Sequence, residues 1–168
     1  WPGYFDIPHR LMEGYLAMAA EAAEQMPQVP THIFLQAGVG GLAGACAAYF
    51  RKVWGDAPQI AVVEPEYAAA LRDSIVAGRA VAAPGPVSNM GRLDCKEPSL
   101  IALKGLARDA DSFMTLTEAE AADAMQRLAE AGVATTPSGG AGLAALLAMA
   151  PLGPDARVLC IVSEEPEA

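Results

Sequence analysis

Residues 31–50 read THIFLQAGVGGLAGACAAYF, and no other stretch restricts the fold as much. His32-Ile33-Phe34-Leu35 is a short apolar run of strand type. Gly38, Gly40 and Gly41 follow at once, removing side chains where the backbone must turn sharply and where a ligand can come close. From Leu42 alanine and leucine take over, with Gly44 small enough for close packing. Strand, glycine turn and helix start in this order aim free N–H groups and a partial positive charge at one spot, which suits an anion and most often a phosphate. A tight turn without a ligand would also use glycine, but three glycines in four residues favour the ligand.

Which phosphate is a separate question. Gly38-Val39-Gly40-Gly41-Leu42-Ala43 satisfies G-x-G-x-x-A, the relaxed dinucleotide fingerprint. A second apolar run, Ile60-Ala61-Val62-Val63, ends at Glu64, an acid placed to hold a ribose hydroxyl. Alone, this unit supports NAD or FAD in a Rossmann-type module of an oxidoreductase. Short glycine motifs recur across α/β folds, so the rest of the chain has to decide.

The 168 residues make one α/β domain over 1–168, and 53% of them are apolar, enough for a substantial core. No apolar run is long enough to cross a bilayer, and no signal-peptide pattern stands at the start, so no membrane is expected. The net charge of −9, without a basic stripe, argues against nucleic acid. Cys46, Cys95 and Cys160 stand singly, which suits a reducing cytoplasm; Cys46 and Cys160 read as small buried hydrophobes. His9 and His32 have no ligand spacing, so no metal is expected. The opening WPGYFDIP enters a helix at once and the ending SEEPEA follows a strand directly, so the chain reads as a piece of a longer protein.

In order, residues 1–8 are a loop and 10–25 a helix with Leu11, Tyr15, Met18, Ala19 and Ala22 on one stripe. After the glycine turn a helix runs to about Trp54, and the second strand stops at Glu64-Pro65. A helix over 67–77 is closed by Gly78, and 81–83 is briefly extended. Residues 84–98, PGPVSNMGRLDCKEP, form a long irregular loop of the kind that is often functional. Ser99 is an N-cap for a helix to about Arg108, and 112–116 is a short strand. Thr117 and Glu120 make a capping box for a helix ending near Ala131. A second glycine turn, 137–140, precedes a helix over 141–149, and the last strand spans 157–162. Alternating strands and helices predict a mostly parallel sheet with helices on both faces. Ligands of such sheets sit beyond the carboxyl ends of the strands, here residues 37–41, Glu64-Pro65 and Ser163-Glu164, with 137–140 facing the same crevice.

Taken together, WPGYFDIPHRLMEGYLAMAAEA, PTHIFLQAGVGGLAG, IAVVEPEYA, SNMGRLDCKEPS, PSGGAGLAAL and VLCIVSEE resemble, in order, the pyridoxal-phosphate enzymes of the tryptophan-synthase-β type, fold type II. Within them the chain is most similar to the diaminopropionate ammonia-lyases. The specific parts are residues 36–44 and the cluster Met90, Leu93, Cys95, Glu97, Pro98, which a generic dinucleotide domain would not carry. The nicotinamide reading therefore stands second.

The resemblance implies a partial fold type II large domain and the cofactor pyridoxal 5'-phosphate. It implies that Gly38, Val39, Gly40, Gly41 and Leu42 hold the cofactor phosphate through backbone N–H groups. Ser163 would meet the pyridine nitrogen, Glu64 would lie near the cofactor's edge, and residues 90–98 would wall the substrate side. The implied reaction is α,β-elimination from 2,3-diaminopropionate or a similar amino acid, giving pyruvate and ammonia, in a cytoplasmic homodimer. The family's Schiff-base lysine, the asparagine beside the cofactor ring and its proposed proton-transfer acids belong N-terminal to everything in this chain, which has only Lys52, Lys96 and Lys104. Pro137 stands where the family usually has an acid, and no Gly-Asp follows Glu164. The chain alone is therefore expected to be inactive, and a structural remnant of the fold is a further alternative.

Overall fold

The computed structural model describes residues 6–166; the loop expected at the start falls, over residues 1–5, outside them. The elements are α1 (Asp6–Gln25), β1 (His32–Gln36), α2 (Gly41–Trp54), β2 (Gln59–Pro65), a 3-10 turn (Glu66–Ala68), α3 (Ala70–Ala77), α4 (Leu100–Asp109), β3 (Ser112–Leu116), α5 (Glu118–Glu130), α6 (Ala141–Ala148) and β4 (Val158–Cys160). The strands form one parallel sheet in the order β3-β2-β1-β4. Because all run the same way, their carboxyl ends share one edge.

Side chains alternate across β1, the strand between β2 and β4. Ile33 and Leu35 enter one core with Phe50 of α2, Leu71 of α3 and Leu106 of α4. Phe34 enters the other, with Leu116, Ala121 and Ala124 on the α5 side and Ala141, Ala144 and Ala145 of α6. Helices thus cover both faces, as the alternation of elements predicts. Residues of small volume on α2 let its neighbours close in: a Cβ on Gly44 would stand 3.2 Å from Met12 Cε of α1 and 3.5 Å from Ala102 Cα of α4. At the amino edge of the sheet, Arg51 donates to the carbonyls of Asp109 and Pro58 and to Asp111, whose carboxylate also accepts from Ile60 N–H.

Several boundaries differ from the sequence reading. Pro8 sits inside the first turn of α1, where a missing N–H costs no helical bond, so the helix starts at Asp6 rather than Arg10. The expected helix over 67–77 is split, because Glu64 accepts from Leu71 and Arg72 N–H and starts α3 at Ala70. Residues 81–83 join no ladder; Ala83 N–H donates to the Lys96 carbonyl instead. Ser99 holds the N-cap position of α4 without a side-chain cap, its own N–H donating to Val39 O. The Thr117–Glu120 capping box is present as expected.

Candidate functional site

The glycine turn joins the end of β1 to α2. Gly40 is the N-cap of α2 with φ +98°, a left-handed conformation that glycine adopts without strain. Among the described residues no side chain caps this end, and the first turn of α2 holds no acid. Its first amides are therefore free of carboxylate competition. The glycines are demanded by protein packing as much as by a ligand. A Cβ on Gly38 would meet Cys95 Sγ at 2.9 Å and the Arg92 carbonyl at 3.2 Å; one on Gly40 would meet Ala102 Cβ and Leu71 Cδ1 at 3.0 Å. Val39, between them, is exposed, while Gly41 and Leu42 are partly open.

Residues 84–98 close against this turn. Cys95 presses on Gly38, and burial raises its thiol's pKa above the ordinary value against a smaller lowering from the Val39 backbone. Lys96, whose role the sequence left open, spends its ammonium on the carbonyls of Tyr67 and Pro86, each at 2.9 Å, and on Asp94. It staples the loop to the 3-10 turn that follows β2. Ser88 Oγ and Asn89 N–H both donate to Glu118 at the start of α5, and Met90 is fully buried below them.

Glu64 was expected at the cofactor's edge. The structure instead buries it completely, with one oxygen accepting from Leu71 N–H and the other from Arg72 N–H, both at 2.8 Å. Burial, outweighing these two bonds, pushes its pKa up to about 7. No part of this carboxylate is open to a ribose hydroxyl or to a ring. Its link to the glycine turn is indirect, through Leu71, which touches Gly40.

Ser163 follows β4 and is exposed, its N–H donating to Gly139 O in the second glycine turn. Gln36, the last residue of β1, is a buried polar residue that the sequence reading left without a role. Its amide nitrogen reaches Gly139 O at 3.1 Å, Ile161 O at 3.0 Å and Ser163 Oγ at 3.2 Å. The available signal was a lone polar residue ending an apolar strand just before the glycines. Beside it, Thr136 hydrogen-bonds to Glu164, which also pairs with Arg92 at 3.2 Å. Arg92 N–H donates to Ser138 Oγ. Asn89, Arg92, Thr136, Ser138 and Glu164 thus line an open cleft of about 380 Å³ at the carboxyl edge of the sheet. Among the described residues no cluster of ligating side chains could hold a metal.

Residues 2–164 match the sequence profile of the family described as "Pyridoxal-phosphate dependent enzyme". The chain belongs to that family. Pyridoxal-phosphate family relatives include the diaminopropionate ammonia-lyase of Salmonella typhimurium, 37% identical over 134 residues, covering 75% of this chain and 33% of the relative. That of Escherichia coli K12 is 35% identical over 161 residues, covering 89% of this chain and 40% of the relative. The chain therefore spans a third to two fifths of these curated relatives. The crystal structure of Escherichia coli diaminopropionate ammonia-lyase in complex with an aminoacrylate-PLP azomethine reaction intermediate superposes with a TM-score of 0.88 at 33% identity, covering 98% of this chain and 47% of that one. The structure of maize serine racemase shares the fold, with a TM-score of 0.81 at 23% identity over 91% of this chain and 47% of that one.

The residues present fit the family's cofactor. An uncapped helix N-terminus without first-turn acids suits a phosphate, and a hydroxyl at the end of β4 stands at the same sheet edge. Beside that hydroxyl, the buried Gln36 Oε1 has no partner among the described residues.

Proposed function

We propose that this chain serves as the C-terminal, large-domain portion of a pyridoxal-phosphate-dependent carbon–nitrogen lyase. The intact enzyme would act on 2,3-diaminopropionate or a similar amino acid by α,β-elimination to pyruvate and ammonia. The observation that carries this is the 35% identity over 161 residues, 89% of this chain, to Escherichia coli diaminopropionate ammonia-lyase.

In this reading the backbone N–H groups of Gly38, Val39, Gly40, Gly41 and Leu42 hold the cofactor phosphate, aided by the α2 dipole. Ser163 meets the pyridine nitrogen. Bound pyridoxal phosphate would supply the electron sink that makes loss of an α-proton and a β-amine feasible. A neutral hydroxyl at the nitrogen suits an elimination needing only a moderate sink. Glu64 acts at one remove, fixing α3 and hence Leu71 against Gly40. Residues 90–98 wall the substrate side, held in place by Lys96. That lysine is committed to three acceptors, Lys52 and Lys104 are exposed on α2 and α4, and none of the three replaces a Schiff-base lysine. The 168-residue chain by itself therefore releases no pyruvate. It self-associates, most simply as a two-fold dimer, which the exposed Ile7 and Leu11 of α1 and the sheet's edge strands support. We place the intact enzyme in the cytoplasm.

The test is an assay of the full-length gene product. Pyruvate and ammonia from diaminopropionate are expected; none from diaminopropionate, serine or threonine would reject the reading. Light scattering on the 168-residue chain checks association, and a monomer at working concentration would refute it.

A further inference from the structure

Gln36 is a polar residue on an inner strand, only 2% exposed, and its side chain joins three segments that are far apart in sequence. Gly139 O and Ile161 O can only accept, so the Gln36 NH₂ group must face them. Turning the amide over would set three acceptors against each other. With the amide so fixed, its two N–H hydrogens serve three acceptors, Ser163 Oγ at 3.2 Å being the third, so one hydrogen is shared between two of them. A hydroxyl that accepts there has its own proton directed elsewhere, and Ser163 is open on its exposed side. Among the described residues the amide oxygen has no partner, buried where a Cβ on Gly142 would stand 3.2 Å from it. A buried acceptor without a partner among the described residues opposes folding, and the gain to set against it lies at the nitrogen end of the amide.

We propose that Gln36 is a positioning residue for the cofactor ring, holding Ser163 as an acceptor on one side so that its hydroxyl proton is presented to the ring nitrogen on the other. This rests on the cofactor reading above. It gives β1 two tasks at one end: the backbone after Gln36 forms the phosphate turn, and the Gln36 side chain sets the polarity of the opposite anchor. Phosphate and ring would then be located from the same strand.

The test uses the 168-residue chain with two probes, pyridoxine 5'-phosphate, which keeps phosphate and ring nitrogen but lacks an aldehyde to react with lysines, and inorganic phosphate. Gln36→Leu and Ser163→Ala should each weaken pyridoxine phosphate by about tenfold, the scale of one lost hydrogen bond. Inorganic phosphate should bind unchanged, and the double variant should be no weaker than either single one. Equal weakening of both probes in a folded variant, no weakening of pyridoxine phosphate, or additive losses would overturn the proposal. Should Gln36→Leu fail to fold, the Gln36 side-chain amide signals of the unsubstituted chain decide. They should exchange slowly with solvent, and one should shift in Ser163→Ala; exchange as fast as in a free glutamine refutes the link. If neither probe binds, the cofactor reading fails and the ring contact with it, while the amide signals report separately on whether Gln36 holds Ser163.

Discussion

A Cβ on Gly38 would stand 2.9 Å from the sulfur of Cys95. The glycine turn and the irregular loop of residues 84–98 are therefore one packed unit, although Gly38 and Cys95 stand 57 positions apart in the chain. Ser99 N–H adds a bond to Val39 O at 3.0 Å, so the turn is gripped from the loop side at two successive residues.

Gly38→Ala should destabilise the chain by roughly 1–3 kcal/mol, because backbone atoms of Arg92 and Leu93 would have to move as well as the Cys95 thiol. Gly14→Ala in α1 is the contrast. Nothing lies within 4 Å of its added Cβ, and alanine is the better helix former, so a gain of about 0.5–1 kcal/mol is expected. Urea unfolding of both variants measures the difference; a Gly38→Ala chain as stable as the parent would show that the turn is loosely packed.

Glu64 makes stability depend on pH. Its carboxyl, raised from the ordinary 4.5 to about 7, binds its proton more tightly folded than unfolded. Between those values the native state holds the extra proton, so Glu64's contribution to stability is greatest below about 4.5 and falls as pH rises to about 7. The loss is on the order of 3 kcal/mol over that window. Glu64→Gln cannot ionise, so it should lose this slope and gain on the parent chain as pH rises. Denaturant midpoints at pH 5 and pH 8 read it, and parallel curves for the two proteins would contradict it.

Replacing Lys96 by methionine keeps the stem and removes the ammonium that binds Tyr67 O, Pro86 O and Asp94. Two carbonyls then lose a donor and Asp94 loses its cation. The loop over 84–98 should be cut several-fold faster by a protease, with overall stability lowered by about 1–3 kcal/mol. Unchanged cleavage would mean that backbone contacts alone hold this loop.

Thr117→Ala removes the hydroxyl that accepts from Glu120 N–H and breaks half of the capping box on α5. A cost of about 1 kcal/mol is expected, with no change in phosphate binding, since the start of α5 lies outside the glycine turn. Thermal unfolding and a phosphate titration check the two halves of this statement.

Sequence by itself determined the α/β order, the strand–glycine–helix unit, the capping box and the family, because each rests on local periodicity or on contiguous motifs. Apolar runs of strand length, glycines at one junction and a Thr-x-x-Glu spacing act over a few residues, and chemistry that local survives in one dimension. Only the tertiary structure decided what Gln36, Glu64 and Lys96 do. Glu64 follows an apolar strand as a ribose-binding acid would, yet the amides of Leu71 and Arg72 claim it, and their position depends on how α3 packs. Lys96 sits in a loop with no periodicity, and of its three acceptors Tyr67 O lies outside that loop while Pro86 O and Asp94 are folded back onto it from within. Gln36 reads as the polar end of a strand until the parallel sheet brings Ile161 and Ser163 beside it. A buried polar side chain must find its partners wherever the fold delivers them. Those partners lie 103 to 127 residues away for Gln36, a distance over which no sequence pattern carries information.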